Sequence, residues 1–348
     1  MVCVAAFIVL VLVGIFVAFI SIFKRDFGKK YWKVLKKAFH CFGKKVRLQK
    51  CDTNFSDDVK SLLLKKVILK KPNLVKPLSI SIEVASVLLV VVTAWSIIEA
   101  AKAGLSLWVF GTCNVSQPSN CTLGADSCGL DEDNLNWFTE WGEIFGNIPD
   151  RLKNWDVADY VSNAEEKDKL TPAFVIGNGK EKALSIIDPG CSVCLSSYMN
   201  LKKNANFLNS HQVYVVIYPI KNTNGEYRFR NSDEIARYVL AINEQTGTDK
   251  YSRMIIDRIF TQYNADGVIY QNVFNEQLTE NEAGALIEKW LAEWGVSEED
   301  ILAIHESEAS LQVALRDTQN TFIIDNKIKP KGIPTFIYNG KKHLGLFK

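Results

Sequence analysis

The residues DPGCSVC, from Asp188 to Cys194, decide the fold because of what lies on either side of them. Two short apolar runs, 173–176 and 183–187, precede them and are typical of strands. After them, apolar residues recur at helical spacing from Leu195 to Leu201. A Cys-x-x-Cys pair therefore lies where a strand gives way to the N-terminus of a helix. The unpaired N–H groups at that end stabilise a thiolate, which is the nucleophile of disulfide exchange.

The spacing of Cys191 and Cys194 also occurs in zinc sites and in structural bridges. Zinc needs four ligands, and the sequence has neither a second Cys-x-x-Cys nor a histidine pair at metal spacing. The two intervening residues place the second sulfur one helical turn after the first, where the two can form a disulfide. We therefore predict a redox pair that needs no metal and no organic cofactor, and we keep a static Cys191–Cys194 bridge as the alternative.

A second motif lies near the C-terminus, where Gly332 to Tyr338 reads GIPTFIY and is followed by Asn339-Gly340. Asn-Gly is typical of a tight turn between two antiparallel strands. Proline cannot donate to a strand ladder, so Pro334 is expected at the start of its strand. Because cis peptide bonds are essentially confined to X-Pro, this placement predicts a cis Ile333–Pro334 bond.

Together the two motifs resemble the DsbA-like branch of the thioredoxin fold, over about Thr171 to Lys348. The shared features are Gly177-Asn178 ahead of Lys182-Ala183, a strand ending in Asp188, the Cys-x-x-Cys, and the run Gly332–Phe336. The resemblance implies that Cys191 is the exposed attacking cysteine and Cys194 the buried resolving cysteine. It also implies that a cis Pro334 faces them and that Ile333 presents its backbone to a substrate strand.

Between the motifs, the resemblance implies an inserted helical subdomain at about 221–318. Apolar residues repeat there at helical spacing over 233–243 and 251–263. The run Thr279 to Glu282 has the pattern of a capping box, and Ser297 is predicted to open a helix that continues through Leu315.

Two features depart from the pattern of that family. The dipeptide between the cysteines is Ser-Val, without a histidine, which predicts less acidification of Cys191 than in strongly oxidising relatives. Ser185 stands on the preceding strand where many relatives carry a glutamate, so the sequence identifies no buried proton acceptor.

Charge divides the chain into three zones. The first 23 residues carry none, residues 24–77 hold 17 Lys and Arg against four acids, and residues 103–348 hold 23 against 33. So uneven a distribution excludes a plain cytosolic enzyme. The acidic C-terminal part would repel phosphates, which excludes nucleic acid as the partner of the whole protein.

Two apolar runs are long enough to cross a bilayer. Val2 to Phe23 would extend about 33 Å as a helix. Basic residues follow this run and none precedes it, which indicates an uncleaved span with its N-terminus outside. The second run, 78–101, is predicted to span as well, with a buried core helix as the alternative. The basic loop 24–77 is then cytoplasmic, at an anionic leaflet, and everything beyond Lys102 lies outside.

The eight cysteines divide in the same way. Cys41 and Cys51 would lie inside, where thiols stay reduced, and the others outside or at the outer membrane face. Three of the outer cysteines lie in one Gly/Ser/Asn/Thr-rich stretch just past the second span: Cys113, Cys121 and Cys128. Three is an odd number, so one of them is free, or pairs with Cys3 or with another chain, and spacing leaves the connectivity open.

From Leu135 to Trp155, aromatic and apolar residues recur at helical spacing. We predict one helix that packs on the following domain. An interfacial helix and a lid over a site are the alternatives, although its acidic residues weigh against strong binding to anionic lipid.

These observations predict an α/β, thioredoxin-like fold with an inserted helical subdomain, preceded by two transmembrane helices. The predicted segments are a span at 1–23, a basic cytoplasmic loop at 24–77, a span at 78–101, a Cys-containing linker with an aromatic helix at 102–165, and the DsbA-like domain at 166–348. We expect a two-pass membrane protein whose extracytoplasmic domain exchanges disulfides with exported proteins and is reset by a separate redox partner. The alternative is a non-catalytic binding or assembly protein on the same fold, with a structural Cys191–Cys194 disulfide.

Overall fold

The computed structural model describes residues 75–118, 127–129, 135–161, 168–222 and 224–347. The helices of these residues are α1 Val75–Phe110, α2 Trp137–Gly146, α3 Ile148–Leu152, α4 Ser192–Lys203, α5 Ala205–Ser210, α6 Ser232–Thr246, α7 Lys250–Thr261, α8 Tyr270–Asn272, α9 Glu280–Glu293, α10 Glu298–Ala303 and α11 Ser307–Ile323. Short 3-10 or π-helical turns occupy Val157–Asp159, Val273–Gln277 and Ile324–Ile328. The strands are β1 Cys128–Gly129, β2 Phe174–Ile176, β3 Glu181–Ile187, β4 His211–Ile217, β5 Gly332–Ile333, β6 Thr335–Tyr338 and β7 Lys341–Leu344.

Five strands form one mixed sheet in the order β2-β4-β3-β6-β7. β3 runs parallel to β4 and antiparallel to β6, while β6 and β7 form the hairpin predicted at Asn339-Gly340. A parallel β3–α4–α5–β4 unit beside an antiparallel hairpin is a thioredoxin-like arrangement. The mixed α/β, thioredoxin-like fold predicted from the sequence is therefore confirmed.

The central strands are continuous apolar runs because both faces of the sheet are covered. In β3, all residues from Ala183 to Ile187 are buried. On one face, the Tyr198 ring of α4 contacts Phe174 of β2 and Phe260 of α7, with ring centroids 6.3 and 5.5 Å apart. The sheet, the helix after the Cys-x-x-Cys and the insertion therefore share one core.

The predicted helical insertion is present between β4 and β5, as α6 to α11. The capping box at Thr279 is confirmed, because its side chain accepts from the Glu282 N–H while the Glu282 carboxylate accepts from the Thr279 N–H. The helix predicted from Ser297 through Leu315 is divided into α10 and α11. At the division, three successive N–H groups, those of residues 304–306, donate to carbonyls three positions back, which tightens and ends α10.

Among the described residues, α1 is the one helix long and apolar enough to cross a membrane, with a mean hydropathy of 2.1 in its most apolar window. It contains the predicted span 78–101 and extends to Phe110. None of that window is buried, and side chains such as Leu88, Val92 and Ile97 are about 60% exposed, which disfavours the core-helix alternative. The predicted span 1–23 and the basic loop 24–77 lie outside the described residues.

The aromatic helix predicted from Leu135 to Trp155 is two helices, α2 and α3. Pro149 at the start of α3 has no N–H with which to continue the hydrogen bonding of α2, and Asn147 is the cap residue between the two helices. Ile144 of α2 is fully buried with Val109 and Val115. Trp155 donates its backbone N–H to Gly340 O at 3.0 Å, so the segment packs on the β6–β7 hairpin, as predicted.

Candidate functional site

Cys191 is the N-cap residue of α4, and three residues separate it from the end of β3. Its N–H donates to the Asp188 carbonyl at 3.2 Å, and its own carbonyl accepts the first helical bond, from Leu195 N–H, at 3.1 Å. The Cys-x-x-Cys therefore lies at the strand-to-helix junction, as the sequence predicted. As the N-cap residue, Cys191 directly precedes the N–H groups of the first turn, which have no partner within the helix.

The insertion holds the turn that carries Cys191. The buried Gln271 amide donates to Pro189 O at 2.8 Å and to Cys191 O at 3.1 Å, and the Asn275 amide donates to Gly190 O at 2.8 Å. A Cβ on Gly190 would lie 2.2 Å from the Phe229 Cβ, so this position accepts no side chain without displacement. Sequence reasoning missed Gln271 and Asn275, because an amide within a helical pattern carries no signal of the turn that it supports.

The Cys191 sulfur is bonded to Cys128, 63 residues earlier, with the two Cα atoms 6.4 Å apart. Cys194 is a free, fully buried thiol. The predicted Cys191–Cys194 disulfide is therefore absent here, both as a redox bond and as the static bridge of the alternative. The reason is that a sulfur forms one S–S bond, and Cys128 holds that of Cys191, which leaves Cys194 as a thiol that accepts from the Asp188 N–H.

The strand β1 covers Cys191. Cys128 pairs with Ile333 and Gly129 with Gly332, in antiparallel register. Because of this cover Cys191 is completely buried, and the expectation of an exposed Cys191 is wrong for this structure. Cys194 is buried, as expected.

The Ile333–Pro334 peptide bond is cis, as predicted. We call the surface formed by Cys191, Ile333 and Pro334 the groove. The resemblance placed a substrate strand beside Ile333, and β1 of the same chain lies there. The Arg228 guanidinium donates to Gly129 O, the carbonyl of the second residue of β1.

The pairing of β1 and β5 requires a close approach of the two backbones. A Cβ on Gly332 would lie 3.0 Å from Cys128 O and 3.3 Å from the Gly129 Cα. Two glycines facing each other allow this approach without a clash. Arg228 and Cys128 were not predicted as site residues, because both reach the groove from segments distant in sequence.

Asp188 is the carboxylate nearest to this chemistry in sequence and is completely buried. It accepts hydrogen bonds from Gly190 N–H at 2.7 Å, from Ile220 N–H at 2.8 Å and from the Ser232 hydroxyl. Burial raises its pKa to about 6, although these three donors act in the opposite direction. Ser185, on the strand that precedes the Cys-x-x-Cys, is also buried.

Asp188 also affects the pKa of the Cys194 thiol. Its Sγ accepts from the Asp188 N–H at 3.5 Å. Burial raises the pKa of the thiol well above its ordinary value; the Asp188 N–H lowers it, and the Asp188 charge raises it further. The sequence marked Asp188 only as the end of a strand, so its effect on Cys194 was missed.

No protein-family model matches the sequence, and no curated protein matches it. Several solved structures do match the fold of this chain. The thiol-disulfide exchange protein alpha-DsbA2 from Wolbachia pipientis is 12% identical, over 50% of this chain and 80% of that one, with a TM-score of 0.36. A putative protein-disulfide isomerase from Pseudomonas syringae is 16% identical, over 49% and 88%, with a TM-score of 0.35. A periplasmic thioredoxin-like protein from Salmonella enterica serovar Typhimurium is 15% identical, over 54% and 91%, with a TM-score of 0.35. Identities and scores of this size carry no information on the activity of this chain.

Proposed function

We propose that this protein is a membrane-anchored thiol–disulfide oxidoreductase whose extracytoplasmic domain exchanges disulfides with exported proteins. One observation carries the proposal: Cys191, at the N-terminus of α4, holds the cysteine of a paired strand in a disulfide, while Cys194 remains a thiol one turn later. A strand paired beside a cis-proline and bonded to the first cysteine has the connectivity of a mixed disulfide.

In this proposal Cys191 is the attacking and leaving cysteine. When a substrate thiolate attacks the Cys191 sulfur of a Cys191–Cys194 disulfide, a substrate–Cys191 bond forms and Cys194 leaves as a thiolate, which takes up a proton. A second substrate thiolate then attacks the substrate sulfur of that bond and releases Cys191 as a thiolate. The two electrons of the substrate dithiol end on the cysteine pair, and the reverse sequence reduces a substrate disulfide. The N-terminus of α4 stabilises the Cys191 thiolate in both directions.

Ile333 and Pro334 supply the binding surface in this proposal. The backbone of Ile333 pairs with an incoming strand as it pairs with Cys128 here. Pro334 has no N–H, so at this position the protein offers no donor that would compete with those of the substrate.

The best test traps the mixed disulfide in the full-length, detergent-solubilised protein. Cys128 would occupy Cys191 in a single Cys194→Ser variant, so the trap is the double variant Cys128→Ser/Cys194→Ser. It should accumulate adducts with a peptide that contains a disulfide, because no resolving thiol remains. The matched control, Cys128→Ser/Cys191→Ser, should form none. Equal adduct yields from the two variants would contradict the assignment of Cys191.

Membrane anchoring is part of the proposal and rests on α1 and on the charge excess of residues 24–77. With both predicted spans in place, the bilayer separates the basic loop from the domain that carries the cysteine pair. A cysteine introduced at the exposed Lys203 should react with an impermeant maleimide in intact cells, and Cys41 and Cys51 should not. Labelling of Cys41 in intact cells, with Lys203→Cys unlabelled, would contradict the proposed topology and indicate the opposite orientation.

A further inference from the structure

The cysteine held in the groove belongs to this chain and not to a substrate. β1 contributes two residues to the pairing, and one of them, Gly129, has no side chain. Among the described residues, β1 is attached by the short ladder with β5, the Arg228 hydrogen bond to Gly129 O and the Cys128–Cys191 bond. Two residue pairs contribute little stability by themselves, so the covalent bond and the burial of Cys128 are needed to hold β1.

A second observation concerns the free thiol beside that bond. Cys194 is three residues from Cys191 on the same helix and is not oxidised. A disulfide with a thiol at this spacing from one of its sulfurs can rearrange by intramolecular exchange, without any added reagent.

We propose that Cys128 is a third redox-active cysteine and that β1 is an internal substrate, which occupies the groove at rest and is released when Cys194 displaces Cys128 from Cys191. This inference rests on the proposed function, because it assigns the same groove to exported substrates. It adds a specific competitor for that groove and a residue that the Cys-x-x-Cys motif does not contain.

The exchange balances within the chain. The Cys194 thiolate attacks the Cys191 sulfur, the Cys191–Cys194 bond forms, and the Cys128–Cys191 bond breaks. Cys128 leaves as a thiolate and takes up the proton that Cys194 lost. One disulfide is present before and after, so no oxidant or reductant is consumed. The product is the disulfide form that can accept electrons from a substrate dithiol.

Because Cys128 belongs to the same chain, it competes with a substrate thiol for the Cys191 sulfur. An internal group of this kind acts at an effective concentration in the millimolar range, about 100-fold above a peptide supplied at about 10 µM. We therefore expect the Cys128→Ser variant to oxidise a dithiol peptide at that concentration at least about 10-fold faster than the wild-type protein.

Disulfide mapping tests the exchange directly and needs no variant. The full-length protein is incubated in glutathione redox buffers, quenched with acid, alkylated, digested and analysed by mass spectrometry. We expect both the Cys128–Cys191 and the Cys191–Cys194 peptides, in a ratio that relaxes to the same value from the oxidised and the reduced starting material. Failure of Cys194 to enter a disulfide at any potential, while Cys128–Cys191 persists, would overturn the proposal in favour of a static bridge.

Rate measurements on variants separate the inference from the proposed function. Arg228→Gln removes the hydrogen bond to Gly129 O without changing a cysteine and should also raise the rate, whereas Arg230→Gln, two residues further on and exposed, should leave it unchanged. If Cys128→Ser and Arg228→Gln oxidise the peptide no faster than the wild type, the internal-substrate proposal fails while the oxidoreductase stands. If mapping shows the exchange but neither the wild-type protein nor either variant oxidises the peptide or reduces its disulfide, the proposed function fails and Cys128 remains redox-active.

Discussion

Replacing Asp188 by asparagine tests the electrostatics beneath the cysteine pair. The Asp188 carboxylate is completely buried and accepts three hydrogen bonds, from Gly190, Ile220 and Ser232. Asparagine has the same shape but a single acceptor oxygen, so one of the three donors is left without its acceptor. That loss should cost about 1–3 kcal/mol of the free energy of unfolding when the wild-type group is ionised.

The diagnostic quantity is the change of stability with pH. Burial raises the pKa of Asp188 from 3.8 to about 6, so the folded state binds this proton more tightly than the unfolded state. The stability that the group contributes is fully present below about pH 4 and is lost as the pH rises through 6. At about 1.4 kcal/mol per pKa unit, the contribution of Asp188 to the free energy of unfolding of the wild-type protein falls by about 3 kcal/mol over this interval. The amide introduced by Asp188→Asn does not titrate, so the variant should gain about 3 kcal/mol relative to the wild type between pH 4 and pH 7.

The assay is urea unfolding of the full-length protein, followed by tryptophan fluorescence at several pH values, without reductant so that the disulfides stay intact. Asp266→Asn, at an exposed position, controls for the loss of one carboxylate. A stability difference between Asp188→Asn and the wild type that stays constant with pH, or falls as the pH rises, would refute the reasoning.

Further predictions concern packing, capping and thiol access. Gly190→Ala should lower the free energy of unfolding by about 1–3 kcal/mol, because the added Cβ would lie 2.2 Å from the Phe229 Cβ. The control is Gly142→Ala, where an added Cβ meets nothing within 4 Å; in the same urea assay it should raise the free energy of unfolding by up to about 1 kcal/mol. Thr279→Ala should lose about 1 kcal/mol with the capping box of α9, and an unchanged urea midpoint would contradict this. Iodoacetamide should modify Cys194 of the wild-type protein only after unfolding, because the thiol is buried and its pKa is raised; rapid modification under native conditions would count against that environment.

The elements that the sequence predicted well are those set by local patterns. The strands at 173–176 and 183–187 coincide with β2 and β3 to within two residues, because buried strands are continuous apolar runs. The Asn339-Gly340 turn and the Thr279 capping box depend on a few adjacent residues, and both are present. The Leu135–Trp155 segment was predicted as one helix, since its apolar spacing continues across Pro149 although the backbone hydrogen bonding does not.

The candidate site divides in the same way. Cys191 and Pro334 were found from short motifs, whereas the partner of Cys191 is 63 residues away and no local pattern specifies it. The odd number of cysteines beyond the second predicted span was the one signal that a bond of this kind exists. Gln271 and Arg228 contact the turn and the strand only because the insertion and the loop before it fold over them.

Under the proposed function, a groove that binds backbone cannot by itself distinguish a substrate from its own chain, because both would present the same N–H and C=O groups to Ile333. Side chains and strand length must supply the distinction. β1 offers two residues, and its backbone lies close to Gly332, where an added Cβ would be 3.0 Å from Cys128 O and 3.3 Å from the Gly129 Cα. A substrate with a longer extended segment would make more ladder hydrogen bonds than β1 but would meet the close approach at Gly332. A substrate strand in the register of Cys128-Gly129 should therefore displace β1 through its greater length, provided that residue 332 carries no side chain.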